Sequence, residues 1–236
     1  MNGILYIASG RKYYNEAVNA IKRTKKIMPS VPIALCTDWK GENKCKEIDY
    51  YIELENPSYT FGDKVNNYYN SPFDKTIFLD TDTYIIDSIE VLFEMLDRFD
   101  VLASHAPIEE DEIIMLPEAF AEMNSGVIAY KKNKRTEKMF EMYKSNYEEC
   151  YQYYTTKYND VPPDQPSFRY AVYHTDVKFC FLPHEYNCMV DFPCFLSNIV
   201  HIIHGHYENE IMGRKAELIN ENTDLRLYNP NKGVIL

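Results

Sequence analysis

The sequence of 236 residues predicts an α/β fold with a mostly parallel central sheet. Short apolar runs alternate with amphipathic helical segments through the first half of the chain, which is the order that gives parallel strands joined by helices. No internal repeat, low-complexity tract or Gly/Ser linker interrupts the sequence. We therefore expect a single domain over residues 1–236.

The individual elements are predicted from hydrophobic periodicity and from the signals that end helices and strands. Strands are predicted at Ile4–Ala8, Pro32–Cys36, Tyr50–Leu54, Lys75–Leu79, Val101–Ser104, Asn124–Tyr130, Val177–Leu182 and Ile199–Ile203. Helices are predicted at Tyr14–Met28, Asp63–Asn70, Ile89–Phe99 and Arg135–Lys157, and a last helix begins at Pro162–Pro166 and continues to Tyr173. The tail from Glu208 is polar and predicts less regular structure.

The formal charge of −11 argues against a nucleic-acid partner, because the chain has no basic excess to neutralise a polyanion. The N-terminal residues lack the basic start and the long apolar run of a signal peptide. No stretch approaches the roughly 20 apolar residues of a membrane span. The six cysteines include no C-x-x-C pair, which fits reduced thiols better than a disulfide framework. We therefore expect a cytoplasmic protein without a transmembrane segment.

The segment Lys75–Ile86 carries two carboxylates, Asp80 and Asp82, at the end of a strongly apolar strand. Alternate residues of a strand point to the same side, so the two acids are expected to lie close together. Two like charges repel unless a cation lies between them, and carboxylate oxygens suit a divalent ion such as magnesium or manganese. Because such an ion keeps open positions for phosphates, the acid pair predicts a metal–diphosphate site.

Five segments of the chain carry a family resemblance. They are Asp63–Val65, Ser71–Thr83, Met123–Ile128, Asp164–Gln165 and Ile199–Gly205. In order and spacing they resemble the GT-A nucleotide-sugar glycosyltransferases, most closely the family 8 group that includes glycogenin and bacterial lipooligosaccharide galactosyltransferases. The resemblance covers most of residues 1–206. It implies a GT-A fold, Rossmann-like, with residues 1–100 as mainly the nucleotide-binding half, residues 101–206 as the donor-sugar and acceptor half, and residues 207–236 as a C-terminal tail.

The resemblance further implies that Asp80 and Asp82 hold Mn²⁺ or Mg²⁺ against the diphosphate of a UDP-sugar. A histidine from the last strand would complete the metal shell. His204 is the preferred ligand, because it ends that strand directly before Gly205, and His201 is the alternative. The two histidines are three residues apart, so a straight strand cannot aim both at one ion.

Further donor contacts are implied at the ends of several elements. The implied residues are Ala8, Ser9, Gly10, Lys64, Asp80, Thr81, Asn124, Ser125 and Gly126. His206 is another candidate, because the family's Lys-Pro-Trp motif, whose lysine contacts the diphosphate, is missing after Gly205. Asp164 and Gln165 would lie beside the anomeric carbon as catalytic residues. Gln165 suits a retaining reaction and Asp164 a base for an inverting one, and the sequence leaves both open.

The implied activity is metal-dependent transfer of a hexosyl or deoxyhexosyl group from the nucleotide-sugar donor to a hydroxyl of a glycan or other acceptor. The acceptor is expected at loops such as His105–Pro117 and at the tail. One alternative is a haloacid-dehalogenase-type phosphatase, because Asp80–Tyr84 nearly matches the motif D-x-D-x-T, although that motif normally opens its fold. The other alternative is a catalytically degenerate sugar-nucleotide-binding module that acts by recruitment, which the missing Lys-Pro-Trp favours.

Overall fold

A computed structural model describes residues 1–39, 45–106 and 113–235. The first eight strands are β1 (Asn2–Ala8), β2 (Ile33–Thr37), β3 (Tyr50–Glu53), β4 (Lys75–Leu79), β5 (Thr83–Ile85), β6 (Val101–His105), β7 (Met123–Lys131) and β8 (Phe179–Leu182). Seven of them form one sheet in the order β3-β2-β1-β4-β7-β6-β8. Neighbouring strands are parallel except that β7 runs antiparallel to β4 and to β6. The predicted mostly parallel α/β sheet is confirmed.

The described helices are α1 (Gly10–Ile27), α2 (Gly62–Asn67), α3 (Val91–Met95), α4 (Lys134–Tyr158), α5 (Gln165–Tyr173) and α6 (Asn209–Asn220). Helix α3 is much shorter than the predicted Ile89–Phe99. Within the predicted range, Ile89, Leu92 and Leu96 are buried as expected. The flanking turns, however, close by hydrogen bonds between residues three apart, such as Asp97 N–H to Glu94 O, so the α-helical pattern covers only the centre.

The central sheet is buried on both faces. Along β1, Ile4 and Tyr6 belong to the cluster that packs against α1, while Leu5 and Ile7 belong to the cluster that packs against α2, α4 and α5. This explains why the strand is apolar throughout rather than alternating, because helices cover both sides of a parallel sheet. The loops at the carboxyl ends of these strands are left free to form a site.

The C-terminal part is more regular than its polar sequence predicts. It contains five short strands, β9 (Cys188–Met189), β10 (Cys194–Leu196), β11 (Ile202–His204), β12 (Arg226–Asn229) and β13 (Gly233–Ile235). Strands β11 and β9 form a small sheet with β5, in the order β5-β11-β9, and the other three form the sheet β10-β12-β13. Met212 and Ile219 of α6 pack with Ile203 of β11 in a third apolar cluster. The tail is therefore packed onto the strand that carries His204, which is a correction to the prediction.

Candidate metal centre and cleft

The acid pair lies in a tight turn between β4 and β5, not along one extended strand. Both the backbone N–H and the hydroxyl of Thr83 donate to the carbonyl of Asp80, at 3.1 and 2.7 Å, and close this turn. The backbone N–H of Asp80 donates to Gly126 O across the sheet at 2.8 Å. The two carboxylates are therefore brought together by a turn, and not by the alternation of side chains along one strand as predicted.

His204 is placed beside this turn by strand pairing. Strand β11 runs antiparallel to β5, and the register sets His204 opposite Thr83. Side-chain ligand atoms of Asp80, Asp82 and His204 all lie within 4.8 Å of one another. His204 Nε2 is 3.2 Å from Asp82 Oδ1. Of the two candidate histidines, His204 is the one that the fold brings to the acids.

His201 lies outside that group. Its ring stacks on Tyr186 with the centroids 4.6 Å apart, and its Nδ1 is 3.7 Å from Asp87 Oδ2. Its carbonyl accepts the backbone N–H of Ile86 at 2.7 Å. These contacts give His201 a packing role at the far end of β11.

Gly126 leaves room for two of the three candidate ligands, His204 and Asp80. A Cβ atom at this position would collide with the ring of His204 and lie 2.9 Å from Asp80 Oδ2. Any side chain here would therefore displace a candidate ligand. The predicted site glycine is explained by this close approach rather than by its backbone conformation.

The pKa values of Asp80, Asp82 and His204 depend on burial and on the charges of their neighbours. Burial, reinforced by the Asp82 carboxylate, raises the pKa of Asp80 although the Lys64 ammonium lowers it. Burial also opposes ionisation of Asp82, but the charge and hydrogen bond of His204, aided by His206, outweigh it and hold the pKa of Asp82 well below its ordinary value. The same attraction overcomes burial and raises the pKa of His204. A divalent cation would relieve the repulsion between the Asp80 and Asp82 carboxylates. The two carboxylates, the imidazole and the spacing of their ligand atoms all fit Mn²⁺ or Mg²⁺.

Lys64 joins the acid pair to Asp164. Its Nζ is 3.1 Å from Asp80 Oδ2, 3.3 Å from Asp164 Oδ2 and 3.4 Å from the Ser125 hydroxyl. The side chain is 11% exposed, so Lys64 is a buried bridge rather than a solvated helix residue. Asp164 precedes α5, but within the described residues its carboxylate accepts no capping hydrogen bond and instead accepts from Tyr143 Oη at 2.5 Å.

Several predicted residues line a cleft of about 380 Å³ at the carboxyl end of β1. They are Ala8, Ser9, Lys64, Asp80, Thr81, Asp82, His204 and His206. His206 is largely exposed, and its Nδ1 is 3.3 Å from Asp82 Oδ2. The hydroxyl of Thr81 donates to Glu16 Oε2 at 2.6 Å. The cleft therefore connects the end of the first strand with the acid pair, as the resemblance implies for a donor.

The remaining predicted residues are not among those that line the cleft. The backbone N–H of Gly10 donates to Asp38 Oδ1 at 2.7 Å. Asn124 is buried, and its Nδ2 donates to Gln165 Oε1 at 3.0 Å. The predicted acceptor loop His105–Pro117 lies partly outside the described residues.

Two residues of the site were not predicted. Asn187 is fully buried and hydrogen-bonded to both Asn124 and His204. Tyr59 lines the cleft, and its hydroxyl donates to Asp38 Oδ2 at 3.1 Å. Neither stands out in the sequence, because Asn187 belongs to no motif and Tyr59 is one of 21 tyrosines.

Comparison of the fold places the chain among structures of GT-A-type glycosyltransferases. The galactosyltransferase LgtC, solved with donor and acceptor sugar analogues, matches with a TM-score of 0.55 and 16% identity over 94% of both chains. Mouse xyloside xylosyltransferase 1 matches at 0.53 and 15%, over 87% of this chain and 98% of that one. GlyE from Streptococcus pneumoniae matches at 0.56 and 13%, over 80% of this chain and 48% of that one.

At such low identities the likeness concerns the fold, and the predicted GT-A architecture is confirmed at that level. No protein-family model and no curated protein sequence matches the chain. Asp80 follows the fourth strand in chain order, whereas the D-x-D-x-T motif of the phosphatase alternative normally opens its fold. Among the described residues, no helix combines the length and apolar character that crossing a bilayer requires.

Proposed function

We propose that the protein is a metal-dependent glycosyltransferase that moves a sugar from a nucleotide-diphosphate donor, expected to be a UDP-sugar, to a hydroxyl of a glycan or similar acceptor. The observation that carries the proposal is the group Asp80, Asp82 and His204 at the cleft of a fold found in glycosyltransferases. The transferred group is expected to be a hexosyl or deoxyhexosyl unit. The sugar analogues bound to LgtC support a donor and an acceptor site in this fold.

The residues of the cleft suit the negative charge that such a donor carries. Asp80, Asp82 and His204 would hold Mn²⁺ or Mg²⁺, which when bound supplies Lewis-acid stabilisation to a leaving diphosphate. Lys64 beside Asp80 adds a positive charge, and His206 beside Asp82 adds a group that can form hydrogen bonds. His206 is exposed and free to turn toward a phosphate, and it stands where the Lys-Pro-Trp motif is missing.

The contacts of the two predicted catalytic residues differ. Asp164 is buried, accepts the Tyr143 hydroxyl and lies against the Lys64 ammonium, so its carboxylate is already engaged and is poorly placed to take a proton from an acceptor. Gln165 uses its oxygen for Asn124 and keeps its amide nitrogen for a ligand. We therefore favour Gln165 as the group beside the reacting carbon. One similar structure is an active-site glutamine-to-glutamate mutant of LgtC, in keeping with this choice.

The proposal is tested by incubating the protein with a panel of nucleotide sugars and Mn²⁺ and following donor hydrolysis and transfer by mass spectrometry. We expect turnover that EDTA abolishes. Asp80→Ala and Asp82→Ala should each reduce it at least about 100-fold, since each removes a metal ligand. Asp87→Asn is the matched control, because this acid lies beside His201 and away from the metal group. Full activity in EDTA or in either alanine variant would contradict the proposal.

A binding module without catalysis gives a different result in the same experiment. Metal-dependent binding of UDP with no turnover of any donor would support recruitment. No nucleotide binding at all would exclude both the transferase and the module.

A further inference from the structure

We infer that Asn187 and Asn124 are positioning residues that aim His204 Nε2 at the metal and the Gln165 amide nitrogen at the reacting sugar. The inference rests on the proposed function. It is carried by a chain of side-chain hydrogen bonds, His204–Asn187–Asn124–Gln165, that connects the candidate metal ligand with the candidate catalytic residue. The four residues of this hydrogen-bond chain are far apart in the sequence.

One backbone group decides which atoms donate and which accept along this hydrogen-bond chain. The N–H of Gly126 donates to Asn124 at 2.9 Å, and a backbone N–H can only donate, so the atom that it meets must be the amide oxygen. The Asn187 group that lies 2.7 Å from this same oxygen must then be its NH₂. Both amide orientations therefore follow from a fixed donor in β7, and not from a choice between equivalent atoms.

The consequence for His204 is a defined imidazole. With its NH₂ turned to Asn124, Asn187 presents its oxygen to His204 Nδ1 at 3.1 Å. An oxygen without a hydrogen only accepts, so Nδ1 must carry a proton. The lone pair of the neutral ring is then on Nε2, the atom that faces Asp82. Partners of this kind fix the tautomer and the ring plane of a metal-binding histidine.

At the other end of the hydrogen-bond chain, the orientation of Asn124 fixes the amide of Gln165. Asn124 has its oxygen toward Gly126 and Asn187, so its NH₂ is the group that meets Gln165 Oε1. The oxygen of Gln165 is thereby held, and its own NH₂ points away from Asn124. A donor N–H in that place suits a sugar hydroxyl or the oxygen of the leaving group.

The backbone around Asn187 is also held. Its N–H donates to His184 O at 3.0 Å, and the next two residues pair with β11, with Met189 opposite His204. Asn187 is fully buried, so water does not compete for its amide. The two asparagines in the middle of this hydrogen-bond chain are thus anchored, and its two ends serve the functions that a transferase must coordinate, metal binding and sugar transfer.

The test separates the two halves of the chain with three variants. Asn187→Ala removes the acceptor of His204, and we expect Mn²⁺ affinity, measured as free Mn²⁺ by electron paramagnetic resonance, to fall about 10- to 100-fold. Asn187→Asp retains an oxygen for Nδ1 but loses the donor to Asn124 Oδ1, so it should restore part of the affinity. Asn124→Asp still accepts from Gly126 and Asn187 but cannot donate to Gln165, so it should bind Mn²⁺ within about threefold of wild type while kcat falls.

Asn146→Ala, which removes a buried asparagine of α4, is the matched control, and thermal unfolding of every variant reports on folding. A merely structural role would lower stability and all activities together, without rescue by Asn187→Asp. If the wild-type protein binds Mn²⁺ and Asn187→Ala binds it equally well, this inference is overturned and the proposed function stands. If the wild-type protein binds no Mn²⁺, both are overturned.

Discussion

At the scale of residues, the candidate metal centre packs acids against basic groups. Asp80, Asp82 and Asp164 lie 3.1 to 3.3 Å from nitrogen atoms of Lys64, His204 and His206. Burial raises the pKa of Asp80, and the Asp82 carboxylate adds to the rise although Lys64 opposes it. A divalent ion between the two carboxylates would reduce their repulsion, which agrees with the proposed metal site.

The two candidate histidines give a matched pair of variants. His204→Ala removes a group within reach of the ion, and we expect Mn²⁺ affinity to fall at least about 10-fold. His201→Ala removes a ring that stacks on Tyr186 outside the metal group, so Mn²⁺ affinity should stay within about twofold once the protein is folded. Isothermal titration with MnCl₂ measures both. A larger loss in His201→Ala than in His204→Ala would reverse the assignment.

At the scale of elements, one buried acid ties three of them together. Asp100 is fully buried at the start of β6, and it accepts from Arg135 of α4 at 2.6 Å, from Asn133 before α4 at 2.9 Å and from the N–H of Lys178 before β8 at 2.9 Å. Burial opposes its ionisation, but these donors outweigh burial and hold the pKa of Asp100 well below its ordinary value. The charge of Asp100 thus stabilises the edge of the sheet.

Replacing this acid should lower stability in a pH-dependent way. We expect Asp100→Asn to reduce the free energy of unfolding at pH 7 by about 2 kcal/mol, the scale of hydrogen bonds to a charged group. Because the folded pKa is depressed, the wild-type advantage is complete above the unfolded pKa near about 4 and shrinks as the pH falls below it. Urea unfolding at pH 7 and at pH 3 measures the difference.

Asp97→Asn is the control for that experiment. Asp97 pairs with Lys75 at 2.6 Å, but its side chain is 72% exposed, so its loss should change the free energy of unfolding by less than about 1 kcal/mol at either pH. An equal effect of the two substitutions, or an Asp100→Asn effect that persists unchanged at pH 3, would contradict the linkage argument.

The C-terminal elements show how a polar segment can be structural. Arg226 is almost fully buried, and its guanidinium donates to the carbonyls of Ile219, Asp224 and Asn198 at 2.9 to 3.0 Å. These bonds join α6, β12 and the loop before β11. Because β11 carries His204, the tail supports the strand that holds this candidate ligand, and the buried face of α6 that does so consists of Met212, Ala216 and Ile219.

At the scale of the whole molecule, ligand binding should be visible as added stability. A ligand present at about 100 times its Kd stabilises the folded state by about 2.7 kcal/mol. For a domain of this size, that corresponds to a rise in Tm of about 5–10 °C. We therefore expect Mn²⁺ with UDP to raise Tm by this amount in differential scanning fluorimetry, and EDTA to reverse the rise.

Asp82→Ala should show no shift with the same additions, while its Tm without ligand stays near that of the wild type. A shift of equal size in Asp82→Ala, or a shift that survives EDTA, would mean that the nucleotide binds without the proposed metal.

Much of the fold could be read from the sequence because it rests on local periodicity. The apolar strands Lys75–Leu79 and Val101–His105 and the long helix Lys134–Tyr158 lie within one or two residues of their predicted bounds. Elements with weak local signals were misjudged, as α3 and the tail illustrate, because their hydrogen bonds and burial depend on neighbours distant in the chain. The acid pair was predictable for the same reason, since it follows an apolar strand in one compact motif, whereas Gly126 was implied by the family resemblance.

The amino-acid sequence by itself determined the α/β architecture, the position of the acid pair after a buried strand and the candidate residues around it. The sequence already favoured His204 over His201, but the position of His204 beside the acids, the buried bridge made by Lys64 and the contacts of Asn187 required the folded chain. Asn187 meets Asn124 across 63 residues and His204 across 17. Contacts over such separations are set by strand register and packing, which no local pattern of residues encodes.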